Sequence, residues 1–167
     1  MDFYPTLDPY VVPVLWRVLV GDTWPGDVWE PAAGEGHMAR ALAAVGLHVT
    51  ATDLEDYEGG GMGGLDFLAF EKPLAPSVIT NPPFSLAAEF IEHAKRLGVS
   101  YFAFLLKSDF WCAERRRALF GRHPPTQIAF LSWKPDFTGE GAPPMTMAWH
   151  IWTPDPPRPP IVLRRPS

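Results

Sequence analysis

The sequence predicts an α/β fold with a mostly parallel sheet and helices on both faces. Three observations carry that prediction. Short apolar runs rich in Val, Ile, Phe and Trp alternate with stretches of helical periodicity. The run VSYFAFLLK (99–107) lacks polar alternation, as a strand covered on both faces should. Acidic, amide and glycine residues recur where the strands would end, which is where such sheets bind their ligands.

In chain order, DPYVVPVLWRVLV (8–20) reads as a helix with an apolar face, Asp8 as its N-cap and Pro9 in its first turn; Pro13 should keep it short or kinked. DVWE (27–30) is a strand, followed by a glycine turn and the helix HMARALAAVG, closed by Gly46. LHVTATD (47–53) is the next strand. EDYEGGGMGG (55–64) reads as a mobile glycine-rich loop, and LDFLAF after it as a short third strand. PSVITN (76–81) is a buried strand. SLAAEFIEHAKRLG (85–98) is an amphipathic helix with Leu86, Phe90 and Ala94 on one face. After VSYFAFLLK, WCAERRRALFG reads as a helix; TQIAFL (126–131) and MTMAWHIW (145–152) are the last strands. PDPPRPP (154–160) must be extended, so residues 154–167 are expected to form a Pro-rich tail behind a single domain spanning 1–153.

Composition narrows the class. With 47% hydrophobic and 20% charged residues, 167 residues suffice for one well-filled core. The first residues lack a basic region followed by an apolar core, and no apolar run would span a bilayer, so a cytoplasmic location is expected. The single cysteine, Cys112, excludes an intrachain disulfide and a cysteine-rich zinc site, and is expected to be buried; no metal is expected. The net charge of −5 divides unevenly: residues 1–100 carry −9 and residues 101–167 carry +4. A basic C-terminal half could meet phosphates, or its charges could simply be solvated.

The strand ends hold the chemistry. EPAAGEG (30–36) is a strand-to-helix turn in which Gly34 and Gly36 let the backbone approach a ligand. It is neither GxGxxG nor a P-loop, and a turn preceded by the acid Glu30 suits a cationic or zwitterionic ligand better than a pyrophosphate. Asp53 follows Gly36 at about the spacing of a ribose-binding acid; the alternative is a capping Asp. Asp66-Phe67 pairs an acceptor with an aromatic face, or else is an N-cap followed by a core Phe. Asn81-Pro82-Pro83-Phe84 stops a buried strand with two prolines. The Asn81 amide oxygen and the Pro82 carbonyl are acceptors on a stiff backbone, and Phe84 adds a π face. That set suits a planar amine: two acceptors take its N–H protons while the ring stacks on its plane.

With those residues placed, the chain resembles the class I S-adenosylmethionine-dependent methyltransferases of the amino-methylating group. Within it, the chain is similar to small N6-adenine DNA methyltransferases of bacterial and phage genomes. The resemblance spans about residues 3–153. Asn81-Pro82-Pro83-Phe84 matches the family's catalytic (Asp/Asn/Ser)-Pro-Pro-(Tyr/Phe/Trp) motif, and Glu30 through Gly36 matches its methionine-binding loop, often DPACGSG. Asp53 matches the ribose-binding acid, and Asp66-Phe67 the adenine-binding pair. Phe3-Tyr4-Pro5-Thr6 resembles the N-terminal segment that packs on the cofactor, and Trp133 to Phe137 a late loop flanking the target base.

The resemblance implies a three-layer Rossmann-like fold of seven strands with an antiparallel strand near the C-terminus. S-adenosylmethionine would be held by Tyr4, Pro5, Thr6, Glu30, Pro31, Ala32, Gly34, Gly36, Asp53, Leu54, Asp66, Phe67 and Asn81. Asn81, Pro82, Pro83 and Phe84 would be catalytic, and Phe84, Lys107, Lys134 and Phe137 would face the acceptor. The implied reaction is in-line methyl transfer to an exocyclic nitrogen of a flipped-out base. Cys112 follows Trp111 rather than proline, so the Pro-Cys pair of cytosine-C5 enzymes is absent.

The expected partner is DNA. RNA adenine and protein glutamine methylation remain as alternatives, because the tetrapeptide reads a planar amine and not its bearer. The chain leaves little room for a target-recognition region, so a homodimer or a partner protein could supply one. Arg115 to Arg117 are either solvated helix charges or phosphate contacts.

Overall fold

Alternation along the strands divides their side chains between two apolar layers. On β4 (Tyr101–Lys107), Phe102, Phe104 and Leu106 enter one layer while Ala103 and Leu105 enter the other. On β1 (Asp27–Glu30), Val28 and Trp29 part in the same way. The computed structural model describes residues 5–19, 24–137, 139, 141 and 145–167. Beside β1 and β4, the sheet contains β2 (His48–Ala51), β3 (Ser77–Thr80), β5 (Gln127–Leu131), β6 (Met147–Trp152) and β7 (Ile161–Leu163), in the order β2-β1-β3-β4-β6-β5-β7. Only β6 runs antiparallel to its neighbours, β4 and β5. The sheet is mostly parallel, as the sequence predicts, and has the seven strands that the resemblance implies, though one of them comes from a segment not expected to join it.

Helices cover both faces. α1 (Val11–Leu19) and α2 (His37–Ala44) bury Val11, Leu15, Met38 and Leu42 in one layer. α3 (Ala87–Arg96) and α4 (Arg117–Arg122) bury Phe90, Ile91, Ala94 and Leu119 in the other. Pro13 lies in the first turn of α1, where its missing N–H is one that the helix would leave unpaired. Asp8 accepts from the Tyr10 N–H at 2.9 Å ahead of that helix, and its other oxygen accepts from the Trp133 indole at 2.8 Å. Two fully buried indoles are paired: Trp29 donates to Thr52 Oγ1 at 2.8 Å and Trp149 to the Val11 carbonyl at 3.0 Å.

Five expectations change. LDFLAF forms no strand: Asp66 caps a 3-10 turn at Phe67–Ala69 by accepting from the Leu68 N–H at 2.9 Å, and Phe67 is drawn into the core among Trp29, Phe90 and His93. Beyond β2 the sheet continues only as a parallel bridge between Thr52 and Met62. The run 111–121 is not one helix. Two 3-10 turns, Phe110–Cys112 and Glu114–Arg116, precede the short α4, and extended Ala113 separates them. Tertiary ties win over helical propensity there: the Trp111 indole donates to His150 Nδ1 at 2.9 Å, and Arg116 Nη1 donates to the Phe110 carbonyl at 2.6 Å. Burial keeps the His150 imidazole neutral, pushing its pKa down to about 3, so Nδ1 is free to accept. Cys112, in the same irregular segment, is exposed rather than buried.

The last two changes are gains of order. The segment behind the prolines joins the sheet: Ile161–Leu163 pairs in parallel with β5, and the Gln127 side chain donates to the Pro159 carbonyl at 3.0 Å. The prolines end before the ladder begins, so no ladder donor is missing. The glycine-rich loop is docked, not loose. The Met62 N–H donates to the Ala51 carbonyl, and Met62 in turn accepts from the Asp53 N–H, both at 3.0 Å.

Candidate active site

The parallel strands β1, β2 and β3 end on one edge of the sheet, at the point where the strand order reverses. Glu30 closes β1, Asp53 lies two residues past β2, and Asn81 follows β3 directly. All three line a cavity of about 250 Å³, with Pro5, Thr6, Ala32, Gly34 and Leu54 among its other walls.

Glu30 is fully buried. Its Oε1 accepts from the Thr80 hydroxyl and from the Ala32 N–H at 3.1 Å, while Oε2 meets no hydrogen-bond partner. Burial pushes its pKa up to about 8; the Thr80 and Ala32 bonds pull it down, and the Asp53 charge pushes it up again. At neutral pH this carboxyl is mostly protonated. Asp53 does a different job. Its Oδ2 accepts from the Gly34 N–H at 2.8 Å and its Oδ1 from the Glu55 N–H at 2.9 Å, so it clamps the turn after β1 to the turn after β2. Each oxygen keeps a second lone pair for a ligand hydroxyl.

The two glycine loops interlock. Gly36 takes φ 79°, and a Cβ there would lie 2.9 Å from the Gly59 carbonyl oxygen. A Cβ on Gly60 would fall 2.0 Å from the Gly34 carbonyl oxygen. Close backbone approach, not mobility, is therefore what these glycines serve, and it holds Tyr57 against the cavity. Gly60→Ala is expected to cost about 3 kcal/mol, the upper part of the overpacking range. That lowers Tm by about 6–12 °C in a chain of this size. A Cβ at Gly26 meets nothing within 4 Å, so Gly26→Ala is the matched control in a thermal melt.

The tetrapeptide forms a partition. Asn81 and Pro83 line the first cavity, whereas Phe84 lines a second one of about 220 Å³; Ser85 touches both. Asn81 Nδ2 donates to Thr6 Oγ1 at 3.3 Å, which steadies the amide. Phe84 opens a 3-10 turn ahead of α3, and the Lys107 ammonium lies 5.1 Å from its ring centre. The two cavities differ in charge. Glu35, Asp53 and Glu55 line the first, beside the mostly protonated Glu30. Lys107, Arg115 and Arg116 line the second, together with Phe110, and among the described residues no carboxylate does.

Not every residue expected at the site lies there. Pro5, Thr6, Glu30, Ala32, Gly34, Asp53, Leu54 and Asn81 line the first cavity; Tyr4 lies outside the described residues. Pro31, Gly36 and Pro82 are buried and line neither cavity, so Pro82 could reach a ligand only through its backbone carbonyl, between Asn81 and Pro83. Asp66 is an exposed cap and Phe67 a core ring 2% exposed; neither lines the cavity. Lys107 lines the second cavity, but Lys134 is exposed elsewhere and Phe137 is buried in the layer under α1. Among the lining residues that sequence reasoning missed are Met38, Tyr57, Glu55 and Phe110. Tyr57 alone carried a signal, as the one aromatic residue within the glycine loop.

No group of three or more His, Cys, Asp or Glu side chains among the described residues is placed to hold a metal ion. No helix among them is long and apolar enough to cross a membrane.

Neither a protein-family model nor a curated protein matches the chain. Solved structures do. A Pyrococcus horikoshii protein described provisionally as an RNA methyltransferase shares 16% identity over 84% of this chain and 79% of its own, with a TM-score of 0.59. The 1,6-didemethyltoxoflavin-N1-methyltransferase of Burkholderia thailandensis, with bound 1,6-didemethyltoxoflavin and S-adenosylhomocysteine, shares 11% over 87% and 80%, at 0.53. The modification subunit of a provisionally assigned type I restriction enzyme from Vibrio vulnificus shares 12% over 100% of this chain and 48% of its own, at 0.54.

These structures define the fold as the Rossmann-like fold of class I methyltransferases. S-adenosylmethionine is the cofactor expected of it, and the first cavity fits that group. An acid-lined pocket with a buried, unpartnered carboxyl oxygen matches a ligand that carries cationic centres.

Proposed function

We propose that this protein is an S-adenosylmethionine-dependent methyltransferase acting on an exocyclic amino nitrogen, adenine N6 in DNA. One observation carries the reading: Asn81-Pro82-Pro83-Phe84 separates an acid-lined cavity from a cavity lined by an aromatic ring and cations. A methyl donor on one side and an amine on the other would meet across that partition.

The bound cofactor supplies an electrophilic methyl group. The chain's residues then do the rest. Glu30, Asp53, Gly34, Pro5 and Thr6 hold the donor. The Asn81 amide oxygen and the Pro82 carbonyl accept the two N–H protons of the incoming amine, and Phe84 stacks on its ring. An exocyclic adenine amine is a poor nucleophile because its lone pair is delocalised. Two acceptors favour a tetrahedral nitrogen and localise that pair. Such groups act chiefly by holding the reacting atoms in line. The Thr6 hydroxyl accepts from the Asn81 amide and helps to orient it.

The test is a substrate panel. The protein is incubated with methyl-labelled cofactor and duplex DNA, single-stranded DNA, RNA or lysate protein. Label in DNA as N6-methyladenine is the expected result; label only in protein, or only in RNA, overturns the DNA assignment.

A further inference from the structure

We propose that the second cavity is a phosphate subsite, in which Lys107 and Arg115, with Arg116 lining the same cavity, grip the backbone of a nucleic-acid acceptor beside the Phe84 ring. The inference deepens the reading above and rests on it. The run Arg115-Arg116-Arg117 splits in the fold. Arg117 is a surface side chain paired with Glu114 at 3.3 Å, as Arg158 is with Asp155 at 2.6 Å. Arg115 and Arg116 instead line the cavity with Lys107, and no carboxylate among the described residues shares that lining.

This concentration of positive charge is held in place. Arg116 stacks on the Phe110 ring, its guanidinium carbon 3.8 Å from the centroid, and donates to the Phe110 carbonyl. The Trp111–His150 hydrogen bond ties the same segment to β6. Burial first and then the neighbouring Arg115 lower the Arg116 pKa, while Asp109 and Glu89 act against that. Two guanidiniums held together against mutual repulsion, in a chain of net charge −5, are complementary to an anion placed between them and Lys107. An aromatic face in the same cavity favours a nucleotide over a bare phosphate, because a base can stack while its phosphate is held.

The test uses the full chain and a short fluorescent single-stranded oligodeoxynucleotide containing adenine, titrated at several salt concentrations. Variants are Lys107→Ala, Arg115→Ala and their combination, with Arg117→Ala as the surface control. Removing one phosphate-binding cation should lower the slope of log K against log salt by about 0.7. By the same rule the double variant is expected to lose about 1.4 of that slope, and at least about tenfold in affinity at low salt. Arg117→Ala should match the wild type, and cofactor binding by calorimetry should be unchanged in all. A wild-type slope in the double variant overturns the subsite, as does an equal loss in Arg117→Ala. So does competition by a phosphoserine peptide that an oligonucleotide of equal charge cannot match. The two readings fail separately. A wild type that binds the oligonucleotide with the slope the double variant loses, yet transfers no methyl to it, keeps the subsite and sinks the proposed reaction. A wild type that methylates DNA while the double variant keeps its slope does the reverse.

Discussion

Asn81→Ala is expected to lower kcat for methyl transfer by at least about 10³-fold while the protein still binds its cofactor. The size follows from what the side chain would do. Removing a preorganised hydrogen-bonding group aimed at the reacting centre costs about 10²–10³ in kcat in other enzymes. Here the same group also sets the line of attack, and misplacement by an ångström adds a comparable loss. Cofactor affinity should move less than tenfold, because Asn81 is one wall among many and its bond to Thr6 is a long one at 3.3 Å. Asn81→Asp keeps an acceptor at the same place and should retain measurable transfer. Single-turnover rates with labelled cofactor, set beside calorimetry of cofactor binding, check both statements. An alanine variant with near-wild-type kcat would remove Asn81 from the chemistry.

The stiff acceptor frame at Asn81 could be anticipated from sequence because each of its parts is local, although the two cavities that it borders could not. A buried strand, two prolines and an aromatic residue lie in consecutive positions, and the prolines leave the backbone few alternatives. The same holds for Glu30 and Asp53, whose places at strand ends follow from hydrophobic patterning. What escaped the sequence depends on distant partners. The run 111–121 has helical periodicity, yet Trp111 bonds to His150 on β6 and Arg116 bends back over Phe110, and those ties break the helix. Asp66-Phe67 offered two readings of the same residues; the structure places Asp66 as a cap and Phe67 in the core. The glycine loop looked slack because glycine is permissive in isolation. Its purpose appears only when Gly60 is seen against the Gly34 carbonyl. The charge contrast between the cavities is non-local as well, since neighbouring arginines part company at Arg117.

Glu30 should make both stability and cofactor affinity depend on pH, in opposite senses. In the folded protein its pKa is raised from 4.5 to about 8. Between those values the native state holds a proton that the unfolded chain has released, so stability falls as pH rises through the window. Its contribution is full below pH 4.5 and gone above about pH 8, a difference on the order of 5 kcal/mol at about 1.4 kcal/mol per unit. Glu30→Gln removes the titration. Its amide oxygen can still accept from Thr80 and Ala32, so the variant should gain stability over the wild type toward alkaline pH, and its denaturation midpoint should be flatter with pH. Cofactor binding reverses the sign. A cationic centre brought next to the carboxyl favours its charged form, so binding at neutral pH should release a proton, and affinity should climb with pH up to about 8, by at most tenfold per unit. Calorimetry in two buffers of different ionisation enthalpy measures that proton directly. A binding enthalpy independent of buffer, or a Gln variant with the wild-type pH profile, would show that Glu30 does not ionise on binding. Repeating the titration with S-adenosylhomocysteine, which has lost the sulfonium charge but kept the ammonium, then assigns the partner. Proton release that persists identifies the ammonium; release that disappears identifies the sulfonium, and with it a direct electrostatic link between Glu30 and the methyl donor.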